Sequence, residues 1–268
     1  MNPDRSFTGS LPIIYDAYLV PLIFEPYAAD LSERAVSRAP THVLEIASGT
    51  GAVTRALSAA LPQGVGIVAT DLNQAMLDQA AARGTLHPVE WRQADAMALP
   101  FADGSFDLVV CQFGVMFFPD KSKAFSEARR VLRPGGGFIF SVWDRIEENE
   151  FANCVTSALE PMFPEDPPRF MARIPHGYFD ASIIERDLAA AECRSAEIAT
   201  LALRSRAESP HIPALAFCEG TPLRNEIEAR KGRLSDATDV AASAIRARFG
   251  EHDVEGKIQA HVVTVDKS

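Results

Sequence analysis

The sequence predicts an α/β fold: a mostly parallel sheet of seven strands with helices on both faces, plus N-terminal and inserted cap or lid segments. Three observations predict it. Short apolar runs alternate with segments of helical period, the pattern of a parallel sheet covered by helices. Proline or glycine stands where each helical stripe ends, at Pro62, Gly84 and the run RPGGG. With 268 residues, the chain is long enough for one large domain with a sizeable core.

HVLEIA reads as a buried first strand, followed by a helical stripe through Val53, Ala56, Leu57, Ala60 and Leu61. VGIVATD is the second strand. Asn73 is placed to cap the next helix, which carries Met76, Leu77, Ala80 and Ala81 and closes at Gly84. VEWRQ and FDLVVCQF are the third and fourth strands. Ala124, Phe125, Ala128, Val131 and Leu132 form the next helical face, which RPGGG stops before the fifth strand, GFIFSVW. After Trp143 the pattern loosens. EENEFANCVTSALEPMF reads as helix and FPEDPPRFMARIPHGYF as a proline-rich, aromatic lid. Asp180 caps a helix to about Ala191, SAEIATLALRS is the sixth strand, and residues 206–234 are irregular to helical. A helix from Asp236 to Phe249 ends at Gly250, and IQAHVVTV is the last strand.

Composition narrows the function. Lysine and arginine total 26 against 36 acidic residues, a formal charge of −10, with no basic stripe, so a nucleic-acid partner is not expected. Cys111, Cys154, Cys193 and Cys218 form no CxxC pair; no metal site or disulfide framework is expected, and a reducing cytoplasm fits. The first residues lack a basic-then-apolar leader pattern. The apolar stretch LPIIYDAYLVPLIFEPY is broken by Asp16, Pro21 and Glu25, so no stable membrane insertion is expected. A small-molecule substrate is the expected partner, and a homodimer is the assembly allowed for.

The chemistry concentrates in EIASGTG. A strand carries the chain to Glu45, and Ala47, Gly49 and Gly51 then keep side chains away, so that a ligand can approach the backbone and the positive end of the following helix. A nicotinamide fingerprint needs G-x-G-x-x-G, and the third position counted from Gly49 is Thr54; a phosphate loop needs a terminal Gly-Lys-Ser/Thr, which is absent. An acid, Asp71, closes the second strand, and another, Asp95, follows the third in QADAMALPF. Each has a plainer reading, as a helix cap and an ordinary loop aspartate respectively.

The acid-x-small-x-Gly-x-Gly pattern resembles motif I of the class I S-adenosylmethionine-dependent methyltransferases. DAMALPFADGSFDLVVCQFGVMFFPD followed by EARRVLRPGGGFIF resembles the subgroup that includes the ubiquinone and menaquinone biosynthesis enzymes (methyltransferase type 11), over residues 41–144. The resemblance implies a Rossmann-like fold, S-adenosylmethionine as cofactor, and methyl transfer to a small, apolar or aromatic molecule by in-line displacement. It implies that Asp71 accepts the ribose hydroxyls, Asp95 the adenine amino group, and that the Ala96 N–H meets a ring nitrogen. Glu45, Gln112 and Phe113 serve the methionine end, with Ser48, Leu72 and Met76 completing the set. Ala47 stands where many members have glycine, a change tolerated at negative φ. Met116 and Phe117 stand where relatives often carry a polar residue, so this loop supplies no proton acceptor.

The order of elements along the chain predicts one domain over 1–268: an N-terminal helical cap (1–40), the cofactor-binding core (41–144), lid insertions (145–180 and 206–234), and the last helix and strand (235–268). In the cap, Tyr18 is expected on the cofactor, or Tyr15 one turn earlier on cofactor or substrate; the alternative is a docked helix with both tyrosines half exposed. Tyr15, Phe117, Trp143 and Phe151 are the candidate substrate contacts. Among the histidines, His176 in RIPHGYF is the candidate base, against a plain surface-loop reading. A non-catalytic protein that keeps the fold, and a nicotinamide oxidoreductase, are the competing functions.

Overall fold

The computed structural model describes residues 4, 7, 9–193 and 196–267; Ser195, at the start of the expected sixth strand, lies outside them. Three helical segments open the chain: α1 (Leu11–Ile14), a π-helical stretch (Tyr15–Phe24) and α2 (Glu25–Ser37). Pro21 lies inside the π stretch. In an α-helix its ring would strike the carbonyl four residues back, and the wider π turn accommodates it.

Strand and helix then alternate: β1 (His42–Ile46), α3 (Ala52–Ala60), β2 (Gly66–Asp71), α4 (Gln74–Arg83), β3 (Glu90–Gln93), β4 (Phe106–Gln112), α5 (Lys121–Val131) and β5 (Leu132–Trp143). Next come α6 (Glu150–Leu159), α7 (Phe170–Arg173), α8 (Ala181–Ala190), β6 (Glu197–Ala207), α9 (His211–Glu219), α10 (Leu223–Ala229), α11 (Leu234–Phe249) and β7 (Val254–Asp266). The seven strands form one sheet in the order β3-β2-β1-β4-β5-β7-β6. β1 pairs in parallel with β2 and β4, β2 with β3, and β4 with β5. The order reverses between β1 and β4, and open α/β sheets take their ligands outside the carboxyl ends of the strands at such a point.

The chain clusters into two compact units. One comprises residues 25–142, 179–200 and 261–268. Val43, Leu44, Ile46 and the run from Leu108 to Cys111 are all buried there, as expected of strands covered on both faces. Phe125 of α5 stacks on Phe140 of β5 at 5.2 Å. Asp107 ties the start of β1 to β4, accepting the N–H groups of Thr41 (3.0 Å) and His42 (2.8 Å). The other unit comprises residues 1–24, 143–178 and 201–260. Here α9 packs against α6, α11 and the π stretch. The Ser205 hydroxyl donates to the Leu22 carbonyl at 2.8 Å.

Three expectations of detail change. RPGGG belongs to β5: α5 ends at Val131, the strand starts at Leu132, and between the pairs Phe106–Leu132 and Leu108–Gly137 the register shifts. The extra residues form a bulge in which Gly135 takes φ +79° and donates to Lys267 O at 2.7 Å. Asn73 occupies the N-cap of α4 but makes no side-chain cap bond; its own N–H is bound by Asp71 instead. Ala47 has φ +55°, in the left-handed region rather than at negative φ. A methyl group there costs about 1–2 kcal/mol relative to glycine.

The Ala47 methyl faces Gly114, the residue after the turn at the end of β4. A Cβ added at Gly114 would lie 2.5 Å from Ala47 Cβ and 2.9 Å from Cys111 Sγ. Gly114→Ala is therefore expected to lower stability by about 1–3 kcal/mol in urea unfolding. Ala47→Gly in the same chain should restore part of that loss; strictly additive effects would refute the steric coupling.

Candidate functional site

At the carboxyl end of β1 and β2, Asp71 is the organising side chain. Its Oδ2 accepts the Gly49 N–H at 2.9 Å and its Oδ1 accepts the Asn73 N–H at 2.8 Å. One carboxylate thus holds the loop after β1 against the loop after β2. Oδ1 also takes the Asn73 side-chain amide at 3.5 Å, whereas Oδ2 keeps a further lone pair. Burial raises the Asp71 pKa, opposed by the N–H groups of Asn73 and Gly49.

Glu45, also buried, accepts the Thr54 hydroxyl at 2.5 Å from the first turn of α3. Its pKa is pushed up to about 8 by burial, against the pull of Thr54 and of the Arg55 charge, with Asp71 adding repulsion. The loop between them is tight. Ser48 N–H donates to Thr70 O at 2.8 Å, and Gly51, at φ +81°, N-caps α3 without a side chain. A Cβ at Gly51 would lie 3.0 Å from the Trp91 ring. The Ser48 and Thr50 hydroxyls are buried and meet no hydrogen-bond partner among the described residues. Buried polar atoms of this kind are satisfied in native proteins by water or ligand.

The remaining candidates of this unit lie at the ends of β2, β3 and β4. Asp95 Oδ1 accepts the Met97 N–H at 2.8 Å, and Ala96 is buried beside it in the chain. Met76 is buried on α4, whereas Leu72 is 47% exposed. Gln112 ends β4 half-buried. Phe113 takes φ +56°, donates its N–H to Ser141 O at 3.0 Å, and sets its ring edge-on to Tyr27 at 5.2 Å. Phe117 is half-buried in a 3₁₀ turn, Val115–Phe117.

The other unit holds Tyr15, Tyr18, Trp143, Phe151 and His176. Tyr18 is 39% exposed, and Tyr15 stacks on Phe24 at 5.1 Å. Phe151 is a packing residue: its ring lies edge-on to Phe249 at 5.0 Å and fills the space over Gly256. Trp143 and His176 line a small cavity of about 20 Å³, room for a water molecule. His176 is 4% exposed, not a surface-loop histidine. Its Nδ1 lies 2.8 Å from the Asp144 carbonyl oxygen. A carbonyl only accepts, so Nδ1 carries the proton and Nε2 is the bare nitrogen. Burial lowers the His176 pKa to about 4, against the raising pull of that carbonyl and of the Glu147 and Asp144 charges.

Thr54, Asp144 and Asn149 were not singled out in the sequence. Thr54 follows Glu45 by nine positions, a spacing set by the turn rather than by any period. Asn149 donates to the carbonyls of Asp144, Arg145 and Gln259 and accepts the Gln259 N–H at 3.1 Å. Only the sheet brings Gln259 to it. Among the described residues no cluster of three metal-binding side chains occurs, and no helix is long and apolar enough to cross a membrane.

Comparison with known proteins adds three findings. Residues 44–140 match the family model described as a methyltransferase domain. The demethylmenaquinone methyltransferase of Thermus thermophilus is 39% identical over 121 residues, covering 42% of this chain and 54% of that protein. The ubiquinone/menaquinone biosynthesis C-methyltransferase UbiE of Hahella chejuensis is 43% identical over 103 residues, covering 37% of this chain and 41% of that protein. The chain thus spans about half the length of these relatives. Among solved structures, the YcgJ protein from a Bacillus matches with a TM-score of 0.57 at 20% identity, covering 90% of this chain and 98% of that one. A Haemonchus contortus N-methyltransferase, solved with phosphomonomethylethanolamine and S-adenosylhomocysteine, matches with a TM-score of 0.60 at 17% identity, covering 98% of this chain and 59% of that one. The structural likeness establishes the fold.

The raised Glu45 pKa has a definite sign. Between its ordinary value of 4.5 and about 8 the folded chain holds a proton that the unfolded chain has lost. Its contribution to stability is therefore full below about pH 4.5 and falls as pH rises to about 8, by up to ~1.4 kcal/mol per unit. Glu45→Gln should gain stability relative to the parent as pH rises from 5 to 8 in ligand-free urea unfolding. A constant difference over that range would exclude a buried, protonated Glu45.

Proposed function

We propose that this chain, which belongs through residues 44–140 to the class I S-adenosylmethionine-dependent methyltransferases, transfers a methyl group from that cofactor to a small, largely apolar or aromatic molecule. The observation that carries the reading is the Asp71 carboxylate, held by the N–H groups of Gly49 and Asn73 with a lone pair of Oδ2 to spare, next to a loop whose Ser48 and Thr50 hydroxyls meet no partner among the described residues.

These residues fit the cofactor. A rigid carboxylate whose Oδ2 keeps an open acceptor position suits a ribose hydroxyl. The small residues Ala47, Gly49 and Gly51 leave the backbone open to approach, and the start of α3 favours a negative group. Asp95 and Ala96 would receive the adenine edge. Glu45, with Gln112 and Phe113, would serve the methionine end, where a nearby positive charge favours the ionised carboxylate. When bound, S-adenosylmethionine supplies an electrophilic methyl group on a sulfonium centre. The protein's own contribution is alignment and exclusion of water, and alignment alone can lower a barrier by roughly 7–11 kcal/mol. Met116 and Phe117 add an apolar wall and no proton acceptor. The relatives reported above are named for menaquinone or ubiquinone/menaquinone methylation, but the family match stops at residue 140, before the expected lid segments. Their acceptor is therefore not carried over.

Titration calorimetry tests the reading. The parent should bind S-adenosylmethionine and S-adenosylhomocysteine, whereas Asp71→Ala, checked for folding by circular dichroism, should lose at least about tenfold in affinity through the lost hydrogen bond to the carboxylate. Heat from NAD but not from the methyl donor would overturn the assignment.

A further inference from the structure

We propose that the Glu127–Arg130 pair of α5 positions the turn that reads the adenine base, which makes Arg130 a positioning residue for cofactor specificity. This rests on the methyltransferase reading above, in which Asp95 and the Ala96 N–H receive the adenine edge. All the residues involved lie within the unit formed by residues 25–142, 179–200 and 261–268.

Residues 94–105 join β3 to β4 and form no helix or named strand, only a short bridge between Asp95 and Ala98. The turn closes on itself. Ala98 N–H donates to Asp95 O at 2.9 Å, and Met97 N–H donates to Asp95 Oδ1 at 2.8 Å. Asp95 Oδ2 accepts no hydrogen bond among the described residues. Upstream, Ala94 N–H donates to Asp71 O at 3.0 Å, which ties the turn to the residue proposed to hold the ribose. Downstream, the anchor comes from α5. Leu99 N–H donates to Glu127 Oε2 at 2.8 Å, and Leu99 O accepts Arg130 Nη2 at 3.0 Å, so both backbone groups of one residue are held.

Arg130 does more than pair. Its Nη1 also donates to Phe101 O at 2.7 Å and to Asp103 Oδ1 at 2.8 Å. Its Nε and Nη2 donate to the two Glu127 oxygens at 2.7 and 2.8 Å. Every N–H of the guanidinium fork is thereby used. A lysine, with a single nitrogen, cannot span two carbonyls and a carboxylate in this way. The bond to Arg130 holds the Glu127 carboxyl below its usual range, so the pair stays charged.

The two anchors control different parts of the ligand. Asp71 keeps its Gly49 and Asn73 donors without any contribution from α5. Loss of Arg130 therefore loosens the Asp95–Ala98 turn and leaves the ribose carboxylate in place. A loosened turn must be ordered by the ligand itself, which weakens every bond aimed at the base. Recognition of the base should fall while the grip on the sugar is kept.

Titration calorimetry with S-adenosylhomocysteine and S-inosylhomocysteine separates the two effects. The second ligand carries an oxygen in place of the adenine amino group, so it offers Asp95 no donor there. The parent should prefer S-adenosylhomocysteine by at least about 30-fold. Arg130→Met, checked for folding by circular dichroism, should lose about tenfold in affinity for S-adenosylhomocysteine and less than about twofold for S-inosylhomocysteine. Arg130→Lys keeps a charge beside Glu127, which protects the fold, and should show the same selective loss. In an Asp95→Ala background neither Arg130 substitution should change the ratio of the two affinities. Equal losses for both ligands, or an unchanged ratio in both variants, would reduce Arg130 to a stabilising role and overturn the proposal. A parent that binds both ligands equally would overturn it too, with the methyltransferase reading intact. If the parent binds neither, that reading falls and the role of Arg130 with it.

Discussion

A single carboxylate, Asp71, fixes the geometry on which the candidate cofactor site depends. The loop after β1 and the loop after β2 have no sheet ladder to hold them together. Asp71 supplies the missing link by accepting one backbone N–H from each. Burial raises the cost of its charge, and the two N–H groups offset part of it. The carboxylate is thus pre-oriented before any ligand arrives. That is how a protein reduces the ordering a ligand must otherwise bring about.

Glu45 shows the contrasting solution in the same unit. It receives one hydroxyl, from Thr54, and no backbone N–H in the bonds described, so burial dominates and the proton stays on near neutrality. Burial raises both acids, one strand apart, and they differ in the donors that oppose it: backbone N–H groups at Asp71, one hydroxyl at Glu45. Nearby, strain is accepted where chains must pass closely. Ala47 and Phe113 both take left-handed backbone angles, at the ends of β1 and β4 where the strand order reverses. Gly114 has no side chain because the Ala47 methyl already fills that space.

In the second unit the Asp144 backbone does comparable work. Its carbonyl receives His176 Nδ1–H and Asn149 Nδ2–H, and its carboxylate receives the Arg145 N–H and the Gln259 amide. A structural knot at the end of β5 thereby fixes the tautomer of a buried histidine. The histidine is held neutral by burial, with one nitrogen committed and the other left basic.

The sequence by itself determined the sheet and the small-residue loop of the candidate cofactor site. Both are local: apolar period, a strand ending on an acid, and small residues before a helix are read within windows of ten or so residues. The order of EIASGTG, Asp71, Asp95 and the RPGGG segment was legible for the same reason. Two local details were not. The left-handed turn at Ala47 is imposed by the approach of β4, and the bulge through RPGGG by pairing with the residues around Lys267. Only the tertiary structure decided the state of the buried groups. Whether Glu45 keeps its proton, which nitrogen of His176 is bare, and whether Phe151 packs or lines a cavity all depend on partners far away in the chain. Ile23, Trp143, Met171, Phe217 and Ile258 come together from separate segments with no common spacing, so no pattern in the sequence marks the chamber they enclose.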